Sequence, residues 1–113
     1  MPHLIIEFAD DLAVDNAVSE MLNAVHDATV KTKLFIESHI KTRAIPVKYY
    51  RTGVGRDPFI HAQLRIKSGR NEAQKKMLSE SVLSAIVNQA WPVKIVTVEV
   101  VDIDSATYSK HIC

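Results

Sequence analysis

The residue with the most distinctive chemistry in this sequence is the proline at position 2. The chain begins Met1-Pro2-His3-Leu4-Ile5-Ile6-Glu7-Phe8, and removal of the initiator methionine leaves Pro2 with a free secondary amine. An α-amino group titrates near pH 8, so such an amine can take up and release a proton under mild conditions. The apolar run that follows predicts a buried strand that holds the amine in place. A proline at the first residue of a strand also has a purely structural explanation, because it has no N–H to donate there.

The composition is that of an ordered globular chain with room for one domain. It has 113 residues, 47% of them hydrophobic, which suffices for one hydrophobic core. Its 14 Lys and Arg residues nearly balance 13 Asp and Glu residues, for a net charge of +1, so a nucleic-acid partner is not expected. No apolar run has the length of a membrane span, no secretory leader is visible, and the one cysteine, Cys113, excludes an internal disulfide. We therefore expect a cytoplasmic protein without a membrane partner.

Hydrophobic periodicity predicts two β-α-β units in succession. The first has a strand over residues 3–8, a helix from Asp11 or Asp15 to about Val30, and a strand within residues 39–51 with a bulge or sheet edge at Pro46. After a loop over residues 52–58, the second has a strand over residues 59–67, a helix from about Asn71 to Ala90, and a strand over residues 93–103.

The two units are pseudo-repeats, residues 2–57 and 58–113, of a single domain over residues 1–113. We expect an α+β fold in which a four-stranded mixed sheet carries both helices on one face. The last strand is apolar on both faces, which predicts that the open face of the sheet is covered in an oligomer. The polar tail, residues 104–113, is expected to be loosely ordered or to dock on a neighbouring subunit.

Several motifs occur together in this arrangement: Pro2-His3-x-Ile5-x-Glu7, Ile40-x-x-Arg43, Phe59-x-His61-x-x-Leu64-x-Ile66-x-x-Gly69-Arg70, and Glu99 in the last strand. Over residues 2–103 the chain resembles the tautomerase superfamily, and within it the 5-carboxymethyl-2-hydroxymuconate isomerases. The resemblance implies a tautomerase-like fold, a cofactor-independent enzyme, and a homotrimer with active sites at the subunit boundaries.

The resemblance gives Pro2, Arg43 and Arg70 as candidate catalytic residues. Pro2 is expected to move the proton, while Lys41 and the two arginines lower the pKa of its amine, bind substrate carboxylates and stabilise a dienolate oxygen. Arg43 is also explained as a cross-strand ion-pair partner. Arg70 is also explained as a residue at the mouth of the second helix, although its charge opposes the helix dipole there, which favours a ligand carboxylate. Lys41 departs from the arginine of the family, and a lysine lacks the bidentate fork of an arginine.

Lys41, Phe59 and His61 are the candidate substrate-binding residues. A structural role is the more common one for a histidine placed like His61, and packing at an interface is the more common explanation for Phe59. The histidines at positions 3, 26, 39, 61 and 111 show no metal-ligand spacing, so we expect no metal.

The favoured hypothesis is an isomerase for 5-carboxymethyl-2-hydroxymuconate in homoprotocatechuate (4-hydroxyphenylacetate) catabolism, which the resemblance alone implies. Two alternatives stay open. One is a tautomerase for a different 2-hydroxydienoate or a phenylpyruvate-like enol, which Lys41 allows. The other is a non-catalytic, ferredoxin-like module that binds a small ligand or has a regulatory role, because such domains share the β-α-β-β-α-β order. Retention of Met1 favours this last alternative, since an acylated proline nitrogen cannot act as a base.

Overall fold

The computed structural model describes residues 1–113 and contains one mixed β-sheet with two α-helices. The strands are His3–Ala9 (β1), Lys41–Val47 (β2), Ile60–Lys67 (β3) and Val96–Ile103 (β4). The helices are Asp15–Lys31 (α1) and Glu72–Val87 (α2), and two short 3-10 helices span Asp10–Leu12 and Glu37–His39. This order confirms the two predicted β-α-β units. None of the helices has the length and apolar character needed to cross a membrane.

The strand order in the sheet is β2-β1-β3-β4. Strand β1 runs parallel to β2 and antiparallel to β3, and β3 runs parallel to β4. Because the two central strands are antiparallel, the start of β1 lies beside the end of β3, with His3 opposite Arg65. Pro46 lies within β2, which is an edge strand of the sheet. Because no strand pairs with the outer side of β2, a residue without an N–H is tolerated there.

One face of the sheet is buried under both helices. Burial alternates strictly along β3, which places every second side chain of this strand against the helices. The buried core combines residues of β1, β3, α1 and α2: Leu4, Ile6, Phe8, Ile60, Ala62, Leu64, Ile66, Met21, Val25, Leu78, Val82 and Ile86. The predicted placement of both helices on one face is therefore confirmed, and the alternate residues are left on an open face of the sheet.

The ends of several elements differ from the prediction. Neither Asp11 nor Asp15 caps α1: Val14 is at the N-cap position without a side-chain hydrogen bond, and Asp15 is already helical. Helix α2, in contrast, starts with a capping box in which Asn71 and Gln74 bond to each other's backbone N–H at 2.8 and 3.0 Å. Strand β4 begins at Val96 rather than at residue 93, because the chain first turns after the helix.

Strand β2 lies within the stretch predicted for it but occupies only part of that stretch. It begins at Lys41 and ends at Val47, since the residues before it form the 3-10 helix Glu37–His39 and those after it enter a loop. This 3-10 helix and the residues that precede it form one wall of the cavity described next.

Candidate active site

The N-terminus of the chain lies at the end of the sheet where β1 begins and β3 ends. Pro2 is buried, and its carbonyl oxygen accepts a hydrogen bond from the backbone N–H of Lys41 at 3.1 Å. The antiparallel register that pairs His3 with Arg65 brings Lys67, two residues further along β3, to the same end of the sheet as Met1. The sheet itself therefore positions the N-terminus beside a cation.

A cavity of about 280 Å³ opens at this end of the sheet. Its apolar lining consists of Met1, Leu34, Phe35 and Ile36, and its polar lining consists of His39, Lys67, Arg70 and Lys110. No aspartate or glutamate lines it. We call it the N-terminal pocket. Its chemistry suits a small anionic ligand with some apolar surface.

Arg70 is held against the wall of the N-terminal pocket by two contacts. One guanidinium nitrogen, Nη2, donates to the backbone carbonyl of Leu34 at 2.7 Å, and the guanidinium carbon lies 4.6 Å from the centroid of the Phe35 ring. The residue stands immediately before Asn71, the N-cap of α2. An arginine has five N–H donors, so donors remain for a ligand after the bond to Leu34 is made.

The amino terminus itself is electrostatically perturbed. Burial, followed by the charges of Lys67, Lys110, Lys41 and Arg70, lowers the pKa of the Met1 amine below its ordinary value. Each effect disfavours the protonated form. Removal of Met1 moves the free amine to the nitrogen of Pro2, one residue further into the same end of the sheet.

Arg43 lies on the open face of the sheet rather than in the lining of the N-terminal pocket. Its Nη1 is 3.2 Å from Nδ1 of His3, and it is paired in register with Ile5. Burial, then Arg43 and Lys41, lowers the pKa of the His3 imidazole. Arg43 thus has no carboxylate partner across the strands, and the group whose pKa it helps to lower is the imidazole of His3.

Phe59 and His61 lie at the other end of β3 from the N-terminal pocket. The antiparallel register puts His61 opposite Glu7, roughly 16 Å along β1 from Pro2 at about 3.3 Å per residue. Its Nδ1 contacts Oγ1 of Thr97, and its Nε2 contacts Oε2 of Glu99, both at 2.6 Å. Phe59 packs edge-on against Tyr50, with ring centroids 5.4 Å apart. Within one subunit, neither residue lines the N-terminal pocket.

Three polar residues that line the N-terminal pocket were not among the sequence-based candidates: His39, Lys67 and Lys110. The register of an antiparallel β1–β3 pair would have indicated Lys67, since residues 1 and 67 extend that register. Lys110 belongs to the tail, which was expected to be loosely ordered or docked on a neighbour. The structure places Lys110 in the lining of the pocket of its own chain. No pattern in the sequence predicts this position.

Two other cavities, each of about 320 Å³, lie around Trp91 at the opposite end of the molecule. One has Asp11 and Glu20 in its lining, and the other is almost entirely apolar. They are slightly larger than the N-terminal pocket but hold no convergent set of cations. No group of three or more His, Cys, Asp or Glu side chains is arranged to hold a metal ion.

Comparison with known proteins gives both the fold and the family. The structure superimposes on a 5-carboxymethyl-2-hydroxymuconate isomerase from Deinococcus radiodurans R1 with a TM-score of 0.85 at 22% identity, covering 97% of this chain and 88% of the other. A 5-carboxymethyl-2-hydroxymuconate delta-isomerase matches with a TM-score of 0.83 at 20% identity, over 100% and 89% of the two chains. A fused 4-OT symmetric trimer matches with a TM-score of 0.76 at 19% identity, over 92% and 87%. A comparison of the sequence with functionally curated proteins finds no match.

These structures share the tautomerase fold, with its four-stranded mixed sheet and two helices. The sequence itself matches the family described as 5-carboxymethyl-2-hydroxymuconate isomerase over residues 2–111, which is nearly its whole length. The chain that carries the buried Pro2 and the cationic N-terminal pocket therefore belongs to the 5-carboxymethyl-2-hydroxymuconate isomerase family.

Proposed function

We propose that this protein is a cofactor-independent isomerase that acts on 5-carboxymethyl-2-hydroxymuconate in homoprotocatechuate catabolism, with Pro2 as general base and acid. The observation that carries the proposal is the cationic pocket at the N-terminus, where burial and then the neighbouring positive charges lower the pKa of the Met1 amine. Membership of the family supports the substrate. A lowered pKa increases the fraction of the amine that is unprotonated near neutral pH, which is the form that the first proton transfer requires.

The reaction needs only the movement of one proton. The amine of Pro2 takes the proton of the 2-hydroxyl group, the carbon–oxygen bond becomes a ketone, and the conjugated double bonds shift along the chain. The protonated amine then returns a proton to carbon 5. The product has the same atoms and the same number of electrons as the substrate. Arg70 and Lys41 bind carboxylates and stabilise the negative charge that develops on the dienolate oxygen.

The remaining candidate residues join the site if three subunits assemble. Arg43 and His61 lie on the open face of the sheet, which also carries the partly exposed Ile45. On this proposal the open face packs between subunits of a homotrimer, and Arg43, His61 and Phe59 reach the N-terminal pocket of a neighbour. Likeness in fold to fused 4-OT trimers supports the assembly.

The test is an intact-mass measurement on protein purified without an N-terminal tag, together with an ultraviolet assay of the dienol. We expect loss of Met1, turnover, and abolition of turnover in Pro2→Ala. Pro92→Ala is the matched control, since Pro92 is exposed at the opposite end. Retention of Met1 without turnover would refute the proposal and favour the non-catalytic, ferredoxin-like module.

A second candidate is a tautomerase for a different 2-hydroxydienoate. The observation that favours it is Lys41, which stands where the family resemblance expects arginine and cannot form a bidentate pair with a carboxylate. If this candidate is correct, the chain loses Met1 but prefers another enol, and Lys41→Arg raises kcat/KM for 5-carboxymethyl-2-hydroxymuconate. An unchanged preference in Lys41→Arg would exclude Lys41 as the cause.

A further inference from the structure

The C-terminal tail folds back onto the end of the sheet that carries the N-terminal pocket. The hydroxyl of Ser105 lies 3.3 Å from that of Ser68, next to the end of β3. Further along, the ammonium of Lys67 lies 5.5 Å from the centroid of the Tyr108 ring. These contacts bring Lys110 into the lining of the pocket. The tail is thus part of the wall of the pocket of its own subunit.

The cations of this pocket have no carboxylate partner within the chain. The ion pairs of the structure are His26–Glu37, Arg56–Asp11, His61–Glu99, Lys75–Asp102 and Lys94–Asp57. None of them includes Lys67, Arg70 or Lys110. Grouping several unpaired cations around one cavity is electrostatically unfavourable unless an anion enters, and the resulting potential attracts anions from solution. The ligand that fits is a small polyanion.

The cations divide into two kinds. Arg70 is fixed by Leu34 and Phe35 and presents a planar fork that suits one carboxylate in bidentate fashion. Lys67 and Lys110 are flexible point charges that reach the cavity from β3 and from the tail. Two distinct sets of donors on one cavity suit a ligand with carboxylates at more than one position.

We propose that Lys67 and Lys110 form a second carboxylate-binding subsite, through which the tail selects substrates that carry an additional carboxylate group. This inference rests on the proposed function for the identity of the substrate, whose muconate skeleton has two carboxylates and whose carboxymethyl group adds a third. Arg70 binds one of them, and the Lys67–Lys110 subsite binds another. A substrate that lacks the additional group leaves the two ammonium groups unpaired and loses their contribution to binding.

The experiment uses two inert probes that differ by one carboxylate. Glutarate is a five-carbon dicarboxylate, and tricarballylate is the same chain with a third carboxylate on its central carbon. Dissociation constants are measured by calorimetry or NMR titration for the processed wild type and for Lys67→Gln and Lys110→Gln. Lys94→Gln is the matched control, since Lys94 is exposed and pairs with Asp57 away from the pocket. The KM of each variant for the dienol is measured in parallel.

We expect wild type to bind tricarballylate more tightly than glutarate, and we call the ratio of the two dissociation constants the preference. In each pocket variant this preference falls by about 5-fold to 10-fold, which is the loss expected for one partly exposed charge-assisted hydrogen bond. The KM for the dienol rises by a similar factor while kcat changes little, and Lys110→Arg recovers most of the loss. The control Lys94→Gln retains the wild-type preference. Since the subsite is electrostatic, the preference also weakens as salt is added.

Two outcomes overturn the inference: wild type that binds both probes equally, or pocket variants whose preference equals that of wild type. Failure of the proposed function is seen separately. If the dienol is not turned over but the preference for tricarballylate depends on Lys67 and Lys110, the subsite stands and the proposed substrate falls. If turnover is normal and its KM is unchanged in both variants, the proposed function stands and the subsite falls.

Discussion

Replacement of Arg70 by glutamine separates the two roles that this residue combines. Its guanidinium donates to the carbonyl of Leu34 at 2.7 Å and stacks on the ring of Phe35 at 4.6 Å. The same group faces the N-terminal pocket. Arg70→Gln removes the anchor of the segment that carries Leu34 and Phe35, and it also removes a proposed carboxylate ligand. The two losses have different magnitudes and are measured by different assays.

The loss of stability follows from the two contacts. A hydrogen bond from a charged donor contributes about 1.5–3 kcal/mol when buried, and partial exposure reduces this to about 1 kcal/mol. The stacking contact adds about 0.5–1 kcal/mol. We therefore expect Arg70→Gln to lower the free energy of unfolding by about 1–2 kcal/mol. The loss in catalysis is larger, about 100-fold in kcat/KM, which is typical of removing one donor to the charge of a transition state.

Urea unfolding at fixed protein concentration measures the first loss, and the ultraviolet assay of the dienol at a temperature where all variants are folded measures the second. Arg70→Lys keeps the charge without the fork and is expected to lie between wild type and Arg70→Gln. Arg51→Gln, an equal change of charge at an exposed position, is the control. If Arg70→Gln loses the predicted stability but retains kcat/KM within about threefold, Arg70 only anchors the pocket wall, and its assignment to the site is wrong.

Three further perturbations test the electrostatics and the core. Lys67→Gln removes a charge that lowers the pKa of the amino terminus. The pKa of the amine therefore rises, and the acid limb of the pH–rate profile moves to higher pH. An acid limb at the wild-type pH would contradict this prediction. Because burial and Arg43 lower the pKa of His3, the folded protein binds fewer protons than the unfolded chain, and unfolding free energy falls as pH drops below about 6.5. His3→Asn removes that part of the pH dependence in urea titrations. Leu64 is fully buried in β3, so Leu64→Ala lowers the free energy of unfolding by about 2–5 kcal/mol. Val54 is exposed, and Val54→Ala lowers it by less than about 0.5 kcal/mol.

The architecture was predictable because burial and periodicity are local in the sequence. The alternation along Phe59–Lys67 reflects one buried face, and it appears in the structure as the strict alternation of burial along β3. The ends of elements were less predictable. Asp15 has the side chain of an N-cap but lies inside α1, since the first hydrogen bond of the helix runs from the Val18 N–H to the Val14 carbonyl at 2.9 Å.

The candidate site was predictable only where the adjacent residues in the sequence indicate it. Pro2 is visible at the start of a strand, and the Gly69-Arg70 pair is visible before a helix. Identifying Lys67 required the β1–β3 register, and identifying Lys110 required the path of the tail. Hydrophobic periodicity indicates neither of these. Arg43, His61 and Phe59 follow from the resemblance rather than from the pocket of one subunit, and their part in a site stays a prediction that depends on assembly.

After burial, which is the largest cause, the charges that lower the pKa of the amino terminus are also the charges that attract carboxylates. Lys67, Lys110, Lys41 and Arg70 disfavour a proton on the N-terminus, and the same charges attract an anionic substrate. A bound polycarboxylate compensates these charges, so it raises the pKa of the amine in the complex above its value in the free protein. If Pro2 is the base, as proposed, the pocket favours its unprotonated form before the dienol arrives and makes its nitrogen more basic once the dienol is bound. On this reasoning, the acid-limb pKa of the kcat profile lies above the acid-limb pKa of the kcat/KM profile. The difference between the two pKa values becomes smaller when Lys67 and Lys110 are both replaced by glutamine.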